Sequence, residues 1–96
     1  MKDREDIGYI CAGAVKHFGK EKQKMKFVEE VGELLVEIGR DSFDGSHKRL
    51  IAEEIADVTI MLRQLQIIFD CRREVQECID WKAERLWELI TKGEEE

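Results

Sequence analysis

Apolar residues recur at three-and-four spacing along almost the whole chain, and no proline interrupts them. That spacing lines up one face of an α-helix, whereas a half-buried strand alternates every second residue, so the pattern predicts an all-α fold. Ile7, Ile10, Cys11, Ala14, Val15 and Phe18 mark a first helix over about residues 4–18, with Gly19 in the position of its C-cap. Phe27, Val28, Val31, Leu34, Leu35 and Ile38 carry a second helix from about Glu21 to Arg40, and Asp41–Ser46 reads as a loop. From about His47 the residues Leu50, Ile51, Ile55, Val58, Met61, Leu62, Leu65 and Phe69 give the longest helix, with Ile60 and Ile67 as a second apolar edge. Asp70 is placed as the N-cap of a fourth helix, whose buried line Val75, Ile79, Ala83, Leu86 and Ile90 runs to about Lys92.

Short connections between four such helices predict one domain over residues 1–96, built as an antiparallel four-helix bundle. Helix three is apolar over most of its circumference. In a chain this small, that width predicts a homodimer or homotetramer that covers the surplus.

The formal charge of -6 speaks against a nucleic-acid polymer as partner, because phosphate backbones are gripped by basic faces. A nucleotide held through a metal ion remains compatible. Cys11, Cys71 and Cys78 are odd in number and form no CxxC pair, so they read as reduced core-type thiols. Met1–Asp6 carries no apolar run behind a basic start, and no stretch has membrane-spanning length, so the expected place is the cytoplasm, with no membrane partner. Glu94–Glu96 reads as a frayed, solvated tail.

The chemistry is concentrated in carboxylates that sit where apolar residues belong. At about 100° per residue, Gln23, Lys26, Glu30, Glu33 and Glu37 form one row beside Phe27 and Leu34 on helix two. Such rows also occur on ordinary solvated faces, so helix two alone decides nothing. Helix three does more. Glu54 follows Leu50 by four and precedes Val58 by four and Met61 by seven, which places it inside the apolar arc, with Asp57 one turn on at its margin.

An ionised carboxylate taken out of water costs several kcal/mol unless a cation, a proton or strong donors compensate it. Two helices that each offer a carboxylate pair point to a shared cation. Oxygen donors without well-placed His or Cys suit Mg²⁺ or Mn²⁺ rather than Zn²⁺. A di-iron bundle is disfavoured, because neither His17 nor His47 stands three residues after a Glu. On helix four, Lys82 shares a side with Val75, Ile79, Leu86 and Leu89, and Arg85 lies at its edge. Lysine can snorkel to water past an apolar stem, yet inward cations are also what a bound triphosphate needs opposite a metal cluster.

The stretch Gln23–Leu34, which contains Glu30-Val31-Gly32-Glu33, followed by Glu54-Ile55-Ala56-Asp57, resembles the MazG-like all-α nucleoside triphosphate pyrophosphohydrolases. Those proteins carry Glu-x-x-Glu on one helix and Glu-x-x-Asp on the next. The resemblance covers about residues 15–90, and Glu53–Leu65 looks most like the small stand-alone members of bacteria and phages. It implies Mg²⁺-dependent hydrolysis of a nucleoside triphosphate, or its deoxy form, to the monophosphate and pyrophosphate. By the same resemblance Glu30, Glu33, Glu54 and Asp57 are the metal ligands, and Glu33 or Glu54 takes a proton from the attacking water. Gln23, Lys26, Lys82 and Arg85 contact the substrate, and His17, Phe18 and Trp81 are candidates for the base. The linker Phe69–Arg73 lacks the glycine often found there in relatives, so its backbone can run on as helix. Two other functions stay open at this point. One is a non-catalytic helical dimer that binds a nucleotide or a protein, and the other is a phosphoribosyl-ATP pyrophosphohydrolase.

Overall fold

A computed structural model describes residues 6–96 and contains four helices, α1 (Ile7–Phe18), α2 (Lys20–Arg40), α3 (Lys48–Ile68) and α4 (Arg72–Lys92). No strand occurs among the described residues, so the all-α expectation holds. The expected start of the first helix near residue 4 lies outside them. No helix of the described residues is long and apolar enough to cross a membrane.

Each break in helix has a backbone cause. Gly19 (φ 95°, ψ 150°) alone separates α1 from α2, and its N–H still donates to the Val15 carbonyl at 2.9 Å. That φ/ψ region is essentially closed to residues with a Cβ, which is why a single residue can turn the chain here.

The second break corrects the placement of Asp70. It does not cap α4 but ends α3, at φ 49°, with its N–H on the Ile67 carbonyl (3.2 Å) and that of Cys71 on the Gln66 carbonyl (3.0 Å). These two bonds make a Schellman turn, a role usually given to glycine and tolerated by aspartate because its short polar side chain survives in the left-handed region. The same two-bond pattern recurs at Gly93, φ 71°. The chain therefore breaks between α3 and α4 without the missing glycine, and Cys71 stands at the N-cap with no side-chain hydrogen bond.

Between α2 and α3 the Asp41 carboxylate accepts the Phe43 N–H at 3.1 Å, and the Asp44 carboxylate accepts the Ser46 N–H at 2.9 Å. Hydrogen bonds from the Ser46 side chain and backbone and from Ser42 hold the Asp44 carboxyl down at about 2. Two such turns in succession reverse the chain tightly.

α2 and α3 then run antiparallel in close contact. Gln23 meets Gln64 far from the loop and Glu33 meets Glu54 nearer to it. α1 packs on α3 and touches α2. Among the described residues Cys11, Val15 and Met61 are the buried apolar ones, and the Cys11 Sγ approaches the Ile60 carbonyl at 3.8 Å. Of the three thiols only Cys11 fits the core expectation, since Cys71 is half-buried and Cys78 exposed.

The expected four-helix bundle does not close within one chain. α4 contacts α3 only, and none of its residues is buried. With only α3 against it, the apolar line of α4, including Ile79, Leu86 and Ile90, remains exposed.

Candidate metal centre

The α2–α3 hairpin brings Glu30, Glu33 and Glu54 together. One carboxylate oxygen from each lies within 4.8 Å of the other two. Burial falls from Glu30, which is 7% exposed, through half-buried Glu54 to exposed Glu33. The cluster therefore reaches from the helix interface to the solvent. An open groove of about 580 Å³, lined in part by Gly32, Glu33, Val36 and Glu54, lies over it.

Charge in this cluster is poorly balanced. Lys26 reaches Glu30 at 3.1 Å and Glu29 at 3.6 Å, and the Glu30 hydrogen bond, with both carboxylate charges, holds its ammonium above the ordinary lysine range. No other cation pairs with Glu30, Glu33 or Glu54 among the described residues. One oxygen of Glu30 and one of Glu54 are buried with no hydrogen-bond partner. Loss of hydration and the charges of Glu33, Asp57 and Glu30 push the Glu54 carboxyl upward.

The donor set suits a small hard cation. Octahedral Mg²⁺ at 2.0–2.1 Å from each oxygen sets adjacent ligands about 2.9 Å and opposite ones about 4.2 Å apart, so three oxygens within 4.8 Å of one another would draw together around the ion or reach it through its waters. Neither histidine belongs to the group. His17 packs edge-on against Phe18, and His47 lies beside Ser46.

The other expected site residues are placed less uniformly. Asp57 is exposed and stands outside the close group, although its charge acts on Glu54. Gln23 is buried, and its amide nitrogen donates to the Gln64 side-chain oxygen at 2.8 Å. Its donor is thus engaged in holding α2 to α3. Lys82 and Arg85 are exposed and pair with none of the four carboxylates; the Lys82 ammonium lies 5.6 Å from the centre of the Trp81 ring. The helix that carries them does not touch α2. Gln64, 4% exposed, is the residue that sequence reasoning missed. It follows Met61 by three on the apolar side of α3, so the test that singled out Glu54 would also have found it.

No family model, curated protein or solved structure matches the chain. The site therefore rests on its own geometry, which two measurements probe without any substrate. Gln64→Leu strands the buried Gln23 amide and is expected to cost about 1–3 kcal/mol in urea unfolding, whereas the Gln23→Leu, Gln64→Leu double variant regains most of that loss. A double variant as unstable as the sum of the singles would contradict the pairing.

The second measurement is the pH dependence of stability. Folding raises the Glu54 pKa above its ordinary 4.5, so the folded state binds that proton more tightly than the unfolded one. The resulting stabilisation is complete below 4.5 and is lost as the pH rises through the raised folded value. Metal-free Glu54→Gln, which mimics the protonated acid, should match the wild type near about pH 4 and melt a few degrees higher at neutral pH. An equal difference at both pH values would exclude the shift as its cause.

Proposed function

We propose that this chain is a Mg²⁺-dependent nucleoside triphosphate pyrophosphohydrolase of the MazG-like all-α type, which cleaves a ribo- or deoxyribonucleoside triphosphate to the monophosphate and pyrophosphate. The observation that carries this reading is the pair of buried, unpartnered carboxylate oxygens on Glu30 and Glu54, contributed by facing helices at one mouth. Oxygen atoms in that state call for a cation. The order Glu-x-x-Glu then Glu-x-x-Asp on those two helices supports the phosphate-chain chemistry.

In this reading Glu30, Glu33 and Glu54 hold the ion, and Asp57 joins them by a side-chain movement from its exposed position. Mn²⁺ fits the same donors. When bound, the ion supplies charge neutralisation and Lewis acidity to the phosphate chain. Two carboxylates are suited to receive the proton of the attacking water, Glu33 because solvent reaches it and Glu54 because it lines the same groove beside it. The water oxygen then bonds to phosphorus as the bridging P–O bond to the leaving group breaks. Lys26 can turn from Glu30 toward phosphate, and Lys82 and Arg85 balance the rest of its charge. Gln23 belongs to the support of the site through Gln64. A homodimer or homotetramer in the cytoplasm, where triphosphates and Mg²⁺ are plentiful, completes the proposal.

Incubation with Mg²⁺ and a panel of ribo- and deoxyribonucleoside triphosphates tests it. Appearance of monophosphate with pyrophosphate supports the reading, and the panel names the base and sugar. Binding without cleavage would instead favour a non-catalytic nucleotide-binding dimer, and cleavage of phosphoribosyl-ATP alone would move the assignment to that substrate.

A further inference from the structure

Within the carboxylate cluster, Glu30 already holds a cation. The Lys26 ammonium lies 3.1 Å from one of its oxygens, while its other oxygen is buried with no partner. Helix geometry alone does not favour this pair. With the basic residue N-terminal to the acidic one at a spacing of four, it runs in the weaker of the two orders on an isolated helix. Exposed Glu29 offers Lys26 a second acceptor at 3.6 Å, yet the ammonium comes closer to the buried carboxylate. A buried carboxylate is the one that needs a counter-charge, because water does not supply it.

A divalent ion shared by Glu30, Glu33 and Glu54 cannot leave that pair as it stands. It brings two positive charges to oxygens that lie within 4.8 Å of one another, beside an ammonium held by one of the same carboxylates. Like charges this close repel strongly where bulk water is excluded. The lysine has room to withdraw, since its head is exposed and its stem flexible. A second open groove, of about 400 Å³ and lined in part by Lys22, Gln23, Lys26 and Glu29, lies beside it with neither Glu33 nor Glu54 in its walls.

We propose that Lys26 is the built-in counter-cation of the metal-free cluster, which neutralises Glu30 until a divalent ion displaces it. The lysine then sets how tightly the site holds metal, and it is released to an anionic ligand only once the ion has taken Glu30. The proposal deepens the pyrophosphohydrolase reading and rests on its cation site alone, not on the cleavage.

Mn²⁺ binding to the full chain, freed of metal with EDTA and desalted, tests this without any nucleotide, with the unbound ion counted by its paramagnetic resonance. Lys26→Met keeps the stem and removes the charge. It is expected to bind Mn²⁺ roughly three- to tenfold more tightly than the wild type, as displacing a charge-assisted pair with one exposed partner requires. Lys22→Met is the control, because it removes an equal charge that lies near the Phe18 ring and outside the cluster, and it should change the affinity by less than about twofold. Unchanged or weaker binding by Lys26→Met overturns the proposal, and so does an equal gain in both variants, which would make the effect one of general charge. Absence of Mn²⁺ binding in the wild type and Lys26→Met alike overturns it together with the cation site.

Thermal unfolding supplies a second readout. Without metal, Lys26→Met leaves Glu30 uncompensated and should melt below the wild type; saturating Mg²⁺ should close or reverse that gap, because the variant gains more from the ion. An equal gap with and without Mg²⁺ would give Lys26 an ordinary structural role and overturn the proposal. Turnover is scored separately. A wild type that binds Mn²⁺ in this pattern but cleaves no triphosphate loses the hydrolase reading and keeps the counter-cation. Cleavage by a wild type whose Lys26→Met variant binds no more tightly keeps the hydrolase and rejects the counter-cation.

Discussion

Glu54→Gln is expected to lower Mg²⁺-dependent turnover of the best triphosphate by at least about a hundredfold, with the far-UV circular dichroism unchanged. The substitution keeps the volume and the helix propensity of the side chain while removing a charge that belongs inside the cluster. Glu30→Gln should act likewise, because Glu30 is the most buried of the three carboxylates and one of its oxygens has no partner. Glu53→Gln is the control. Glu53 is exposed one position away and pairs with Arg49 at 3.1 Å, an exchange of little consequence on a solvated helix face. Equal turnover in the Glu53 and Glu54 variants would dissociate the cluster from catalysis.

Met61→Ala is expected to cost about 2–5 kcal/mol in urea unfolding, and correspondingly to lower the melting temperature by more than ten degrees. Met61 is 5% exposed, and only Cys11 and Val15 are comparably enclosed among the described apolar residues. It also touches the polar seam, since the Gln64 amide nitrogen lies 3.7 Å from its sulfur. The loss would therefore loosen both the apolar core and the glutamine pair that fixes the helices. A change below about 1 kcal/mol would mean that the surroundings collapse to fill the space.

The helices were legible in the sequence because their apolar period and their breakers agree. Gly19 ends α1 where glycine was expected, and Asp41–Ser46 forms the loop. The α3–α4 joint was not, because its signal is conformational: Asp70 looks like an N-cap by residue type, and only its backbone shows that it occupies the left-handed position of a helix end. Wheel positions found Glu30, Glu33 and Glu54 because a charge within an apolar arc is visible in one dimension. They could not separate Asp57 from the cluster, nor tell Gln23 as a packing group from Gln23 as a ligand, since both depend on which neighbour fills the opposite side. The same limit applies to α4. Its stripe was plain in the sequence, but the absence of a covering surface within the chain appears only when the other three helices have taken their places.

The seven residues that connect α2 to α3, from Asp41 to His47, also bear on how the chain reaches its folded state. So short a loop makes hairpin closure entropically cheap, and contacts close in sequence form early. Closure, however, drives Glu30, Glu33 and Glu54 together with only Lys26, one turn back on α2, to offset their charge. Their mutual repulsion opposes the step that their helices otherwise favour, and a divalent ion removes that opposition. On the proposed function, magnesium would thus act twice, first as a folding accelerator and afterwards as a cofactor.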